Sequence, residues 1–246
     1  MHSIKTNGIV LRGSHFGEAD RILTVFTDSL GKIKVMAKGI RKISSHLAGS
    51  LEPFMLVNLQ VYEGKTFFGI TGAAIERDFP NLHENLSKTA KAFFLGELVD
   101  KFMEERQISS EIFDLFVSAL GEVDTDLPGP LIQAFELKII EASGFKPELY
   151  DCIHCKEKIT AGDNYWDNDE GGLICERCNA KFHHGKKVTD SVIKLFRFIH
   201  ENNSAQIARL KLDKAVEEEA DRILDLYLRS ILERELKSQS FMKSIN

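Results

Sequence analysis

The chain has 246 residues, of which 43% are hydrophobic, 28% charged and 9% aromatic, enough for one large or two modest domains with a buried core. Five prolines and 17 glycines exclude a collagen-like or low-complexity chain, and the apolar fraction excludes general disorder. The net charge of −5 hides a division: residues 1–80 carry 10 Lys and Arg against 7 Asp and Glu, and residues 81–246 carry 22 against 30. Because a polyanion needs only a local basic surface, this distribution points to a phosphate-facing N-terminal part on an acidic body.

No window approaches the roughly 18 consecutive apolar residues of a membrane helix. The start, Met1-His2-Ser3-Ile4-Lys5-Thr6-Asn7, lacks the apolar stretch of a signal peptide, so a cytosolic setting without a membrane is expected. In that setting four cysteines point to metal or redox chemistry rather than a disulfide framework.

The first 80 residues read as β structure. Gly8–Arg12 is short and β-branched, and Arg21–Thr27 is rich in strand formers and stops at the turn cluster Asp28-Ser29-Leu30-Gly31. In Lys32–Lys38, Ile33, Val35 and Ala37 alternate with Lys32, Lys34 and Met36, which predicts one core face and one basic face. Val57–Tyr62 alternates again, and Glu63-Gly64 turns it into Thr66–Thr71. Five strands in this length have the size of an OB-type barrel, and an SH3-like barrel fits nearly as well; periodicity alone does not separate them.

From Phe79-Pro80-Asn81 the period becomes helical. Leu86, Ala90, Phe93, Phe94, Leu98 and Phe102 form one predicted stripe, and Ile112, Phe113, Phe116 and Leu120 a second after Ser109-Ser110. A third helix, with Leu131, Phe135, Ile139 and Ile140, lies between Pro130 and Gly144. Thr189 is the expected N-cap of a fourth, and a long final helix starts near Asp213 with Glu217-Glu218-Glu219 in its first turn, where acids suit the dipole. The domain division is therefore residues 1–80 as a barrel and 81–246 as a helical domain interrupted by a polar insertion at 147–187. The fold class is α+β.

The insertion contains every cysteine. Cys152, Cys155, Cys175 and Cys178 form C-x2-C-x19-C-x2-C, whose two knuckles can close a tetrahedral site around one structural zinc ion. A redox pair is disfavoured, because two matched pairs sit in one polar insert without a βαβ context. With four sulfurs the shell is full, so the metal does not activate water, and His183 and His184 read as solvated or phosphate-facing rather than as ligands. His154, between two ligands, is expected at the surface.

Lys32, Lys34, Lys38, Arg41 and Lys42 fall in one acid-free window, three on a strand and two in the Gly39–Pro53 loop with its Ser44-Ser45 and Gly49-Ser50 pairs. Such a loop can follow a phosphate backbone, and five contacts on a single strand give a log K against log salt slope of about −3.5. A solvated strand face is the competing reading. Arg12 and Arg77 extend the candidate patch, and Tyr62 is the best candidate for stacking on a base, ahead of Phe67 and Phe68. The sequence contains no phosphate-binding P-loop, dinucleotide fingerprint, H-E-x-x-H or G-x-S-x-G, so no catalytic centre is expected. Glu18 and Asp20 read as turn formers.

Gly17-Glu18-Ala19-Asp20-Arg21-Ile22-Leu23-Thr24-Val25-Phe26-Thr27, then Gly31, Ala37-Lys38-Gly39-Ile40-Arg41-Lys42 and Leu51-Glu52-Pro53-Phe54, followed by the late cysteine pairs, resemble the RecO family of bacterial recombination mediators essentially from end to end. The resemblance implies an N-terminal OB-fold, a helical domain and a zinc-finger-like insertion. It also implies binding of single- and double-stranded DNA, displacement or bypass of single-stranded-DNA-binding protein (SSB), strand annealing, and work with RecR and often RecF to load RecA, in the cytoplasm at the nucleoid. On that footing Lys32, Lys34, Lys38, Arg41, Lys42 and Arg12 become the expected DNA surface. An RNA-binding zinc-ribbon factor of translation or transcription is the alternative.

Overall fold

The structure, a computed structural model, describes residues 3–42, 45–125, 129–232 and Ser238; Met1, His2 and Ser44 of the segments singled out above lie outside these. The chain divides into two compact units, residues 1–126 and 127–240.

In the first unit, β1 (Ser3–Phe16), β2 (Asp20–Thr27), β3 (Gly31–Ala37), β4 (Leu56–Tyr62) and β5 (Phe68–Arg77) form a closed barrel in the order β1-β2-β3-β5-β4. The long β1 serves two partners, pairing with β4 over Ser3–Ile9 and with β2 over Gly8–Phe16, with an irregularity between Val10 and Arg12. A bulge at such a point lets one strand bend between neighbours. Closure comes from parallel pairing of β3 with β5, Val35 to Phe68 and Met36 to Gly69. This is an OB-like barrel, and the choice the alternation left open is made by that long-range pairing. Val10, Leu23, Val25, Ile33, Val35, Val57, Leu59 and Val61 fill the interior. β1 and β5 run well beyond their predicted lengths, and their C-terminal ends, Gly13–Phe16 and Ala74–Arg77, are exposed.

The turn at Gly31 admits only glycine on two counts. Its φ is +67°, and a Cβ there would lie 2.3 Å from the Gln107 carbonyl oxygen. Gln107 follows α2 (Leu86–Phe102), which together with α1 (Pro80–Glu84) and α3 (Ser110–Thr125) completes the unit. Phe113 and Phe116 of α3 meet Phe26 of β2 at ring centroid distances of 5.7 and 6.4 Å. That packing is why compactness groups three helices with the barrel. The α2 stripe is rotated from the expected one. Ala90, Phe94, Leu98 and Phe102 are buried with Leu95 and Val99, but Leu86 is 57% exposed and Phe93 41%. Phe93 instead stands edge-on to Phe54, from the loop before β4, at 4.8 Å.

The second unit contains α4 (Leu131–Ala142), β6 (Asn164–Asp167), β7 (Gly172–Cys175), α5 (Glu176–Phe182), β8 (Lys186–Val188), α6 (Asp190–Glu201), α7 (Ser204–Ile207) and α8 (Lys214–Leu232). Thr189 caps α6 by accepting from the Val192 amide. Glu219 of α8 accepts from the Thr189 amide at 2.9 Å and from its hydroxyl at 2.6 Å, so this acid ties two helices together as well as sitting near a helix start. The insertion is a small antiparallel sheet, β7-β6-β8, with α5. Trp166, the only tryptophan, reaches from β6 into the helices, with ring centroids 5.8 Å from Phe196 and 5.7 Å from Tyr227. Among the described residues no helix is long and apolar enough to cross a membrane.

Glu136 of α4 is buried, and burial, then the negative charges of Asp221 and Asp225 on α8, push its carboxyl well above the usual 4.5. The folded chain therefore holds a proton that the unfolded chain releases, and stability falls as pH rises from about 4.5 through the folded value. Glu136→Gln removes that proton uptake and keeps the shape. Thermal denaturation of the full chain is expected to show Tm raised at pH 8 and little changed at pH 4, with a flatter profile between.

Candidate nucleic-acid interface and metal centre

The loop that follows β3 is fastened to the turn between β1 and β2. The Gly39 amide donates to Asp20 Oδ1 at 2.7 Å, the Arg41 amide donates to the Ala19 carbonyl at 3.0 Å, and the Arg41 guanidinium donates to the Glu18 carbonyl at 3.0 Å. Asp20 is thus a cap for the opposite loop, and its role as a turn former extends across 19 residues of chain. Gly39 has a φ of +66°, and the Lys42 amide closes the next turn onto its carbonyl at 3.0 Å. The result presents Lys38, Arg41 and Lys42 to solvent. None of the three has an acidic partner among the described residues, and the Lys38 and Lys42 side chains make no hydrogen bond there.

The other three expected cations are placed differently. Lys32 is only 8% exposed, and its Nζ donates to the Asp100 carbonyl at 2.6 Å and lies 3.5 Å from Asp100 Oδ1. Burial lowers its pKa against the pull of Asp100. The expected basic strand face is corrected here: α2 covers β3 at Lys32 and makes it a buried counter-ion. Arg12 joins the same carboxylate, Nε to Oδ2 at 3.1 Å. Burial opposes the Asp100 charge, but the Arg12 hydrogen bond with the charges of Arg12 and Lys32 outweighs it and holds the carboxyl below its usual value. Lys34 is exposed but paired with Glu105 at 2.5 Å, and this bond keeps the Glu105 carboxyl low. Asp100 and Glu105 lie 68 to 88 residues beyond their partners' strands, and no local pattern announces them.

Three further candidates are also placed elsewhere. Arg77 lies over the Phe79 ring at 4.7 Å, with its guanidinium against Gly121 of α3. Tyr62 is half-buried, and its ring covers Gly69 on β5, where a Cβ would come 2.1 Å from the ring carbon bearing the hydroxyl. Phe68 is buried, with Arg106 stacked over it at 5.3 Å.

In the second unit the four cysteines converge. Their sulfurs all lie within 4.8 Å of one another, with no disulfide among them, and Cys155 and Cys175 are 3.8 Å apart. A tetrahedron with metal–sulfur bonds of about 2.3 Å has an edge of about 3.8 Å, so the donor set fits one zinc-sized ion. Burial raises the Cys152 thiol, but the backbone N–H groups of Cys155, Cys175 and His154 overcome it and bring it down to about 6. Cys178 goes the other way, to about 12, through burial and then contact with the other three sulfurs. With a cation between them all four sulfurs could stand as thiolates in this space. His154 reaches the surface, His183 ends α5 with a φ of +60°, and His184 lies 2.8 Å from the buried Asp167.

Two family models cover the chain: "Recombination protein O N terminal" matches residues 1–79 and "Recombination protein O C terminal" matches residues 83–240. A protein called DNA repair protein RecO from Dehalococcoides mccartyi (strain 195) is 35% identical over 246 residues, covering 100% of this chain and 97% of that protein. Proteins of the same name from Anaeromyxobacter dehalogenans (31% identical; 100% of this chain, 98% of that protein) and Thermoanaerobacter sp. X514 (29%; 100% and 99%) match along their whole lengths. The two models meet where the barrel gives way to helices, and the relatives run from end to end: the chain belongs to the RecO family of DNA repair proteins.

Proposed function

We propose that the chain is a non-catalytic mediator of DNA repair and homologous recombination. In this reading residues 1–80 bind single- and double-stranded DNA, and the protein anneals complementary strands. With RecR, and with RecF, it helps load RecA onto single-stranded DNA coated by SSB, in the cytoplasm at the nucleoid. The observation that carries the DNA-binding part is the trio Lys38, Arg41 and Lys42, held out on a fastened loop of an OB-like barrel with no acidic partner among the described residues. Exposed cations without acidic partners are free to displace counterions from phosphate, whereas Arg12, Lys32 and Lys34 must first leave Asp100 and Glu105. Two strands brought to such a loop repel each other less, and base pairing supplies the driving force, so no nucleotide hydrolysis is needed.

The four cysteines hold one zinc ion in this proposal. A closed sulfur shell supplies architecture only, joining the knuckle before β6 to the start of α5.

The test is annealing of complementary oligonucleotides by the purified full chain, with bare strands and with strands coated by SSB, beside competition between DNA and RNA of matched sequence. Acceleration on both substrates and preference for DNA are the expected results. Preference for RNA would replace this reading with that of an RNA-binding zinc-ribbon factor. Absence of annealing on either substrate would overturn the mediator role.

A further inference from the structure

Beside the four sulfurs lies a second convergence of donor atoms. Asp167 ends β6 and is buried, its side chain only 4% exposed. Its Oδ1 is committed, accepting from the amides of Asp169 at 2.8 Å and Glu170 at 2.9 Å, which leaves Oδ2 aimed away from the turn. Oδ2 lies 2.8 Å from Nε2 of His184, and that nitrogen lies 3.3 Å from Nε2 of His154. All three donor atoms fit within 4.8 Å of one another. They come from three separate places in the insertion: the first cysteine knuckle, the end of β6, and the residue pair after α5.

The proton count makes this arrangement informative. Nδ1 of His184 faces the Phe182 carbonyl oxygen at 3.3 Å, and a carbonyl can only accept, so this contact is a hydrogen bond in the tautomer with hydrogen on Nδ1. In that tautomer Nε2 points at a carboxylate oxygen and at a second imidazole nitrogen. One proton on Nε2 serves one of these two neighbours; a metal ion serves all three atoms at once. A tetrahedral ion with nitrogen ligands at about 2.0–2.1 Å separates them by about 3.3 Å, the distance found between the two histidines. The backbone carbonyl behind His184 is the usual outer partner of a ligating imidazole. A buried carboxylate is expected to be paired or to coordinate metal.

We propose that His154, Asp167 and His184 form a second site for a divalent ion of the zinc class, separate from the four-sulfur site, with water or another oxygen ligand in the fourth position. Imidazole with carboxylate suits zinc and its neighbours rather than magnesium or calcium. The ion would staple the end of α5 to the first knuckle and to the β6 turn. Three protein ligands make it the weaker and more exchangeable of the two sites.

The test uses the full chain, stripped by chelator and titrated with zinc alone, with ions counted by native mass spectrometry and a parallel titration with cobalt. The wild type is expected to take two zinc ions. His184→Ala and Asp167→Asn are expected to take one, and His183→Ala two. Asparagine keeps the oxygen that receives the two turn amides, so Asp167→Asn loses the ligand charge without losing the turn. In the cobalt titration the ion lost in these variants carries no thiolate charge-transfer band. A wild type that stops at one ion with that band would show an imidazolium–carboxylate pair only and overturn the proposal, as would a His184→Ala chain that still takes two. A wild type that takes one ion without the band, lost in His184→Ala, would support this site and refute the sulfur site instead.

Discussion

Lys38→Ala/Lys42→Ala is expected to weaken binding of single-stranded DNA roughly fiftyfold at about 50 mM salt and to flatten the salt dependence by about 1.4 in slope. The magnitude follows from the number of free cations. Each phosphate contact on a single strand contributes about 0.7 to the slope, which amounts to nearly tenfold between about 1 M and about 50 mM salt. Of the five strand and loop cations, Lys38, Arg41 and Lys42 are exposed with no acidic partner among the described residues, so this loop accounts for a slope of about −2 rather than the −3.5 or so expected of five cations. The two lysines are chosen because their side chains hold nothing in place, whereas the Arg41 guanidinium also fastens the loop through the Glu18 carbonyl. The converse variant is equally informative. Glu105→Gln releases Lys34 from its ion pair, and is expected to steepen the slope by about 0.7 and tighten binding several-fold. Fluorescence anisotropy with a labelled oligonucleotide over a salt series measures both. An unchanged slope in the double variant would remove the loop from the interface.

What the sequence made legible and what it did not divide along one physical line. Patterns that repeat at short range were readable: the alternation of Ile33, Val35 and Ala37 toward the barrel core, the Thr189 cap, the punctuation of α4 by Pro130 and Gly144, and the spacing of the cysteine knuckles. Properties decided by residues far away in the chain were not. Lys32 and Lys34 look alike on the strand, yet α2 buries one against Asp100, and the segment after that helix pairs the other with Glu105. Tyr62 reads as an exposed aromatic until Gly69, its cross-strand neighbour, offers a bare backbone for the ring to cover. His184 reads as solvated because nothing nearby in sequence signals Asp167, which reaches it only when β6 and the end of α5 come together. In the stretches that carry the family resemblance the local and the distant coincide. Ala19 and Asp20 from one stretch receive the backbone of Gly39 and Arg41 from the other, so those residues are needed together to hold one loop.

Cys152→Ser/Cys175→Ser removes one ligand from each knuckle, and is expected to lower bound zinc by at least one ion per chain and Tm by roughly 10 °C, a loss of several kcal/mol for a unit of this size. Structural zinc contributes about 10–16 kcal/mol in finger peptides that have almost no other core. The cost here is smaller because the insertion is also anchored by packing: Trp166 is buried against Phe196 and Tyr227, and the Tyr227 hydroxyl donates to the Phe145 carbonyl at 2.7 Å. The same packing supplies the readout. Trp166 is the only tryptophan, 1% exposed in the fold, so its emission reports on the second unit alone and is expected to shift to the red as the β6–β7–β8 sheet loosens. DNA binding by the barrel loop is expected to persist in this variant at low temperature, because Lys38, Arg41 and Lys42 are held by the β1–β2 turn within the first unit. Chelation of the wild type should reproduce the Tm and fluorescence changes, and added zinc should reverse them. Full metal content in the double serine variant would mean that the sulfurs do not hold the ion. Loss of metal with Tm and Trp166 emission unchanged would mean that apolar packing alone maintains the insertion.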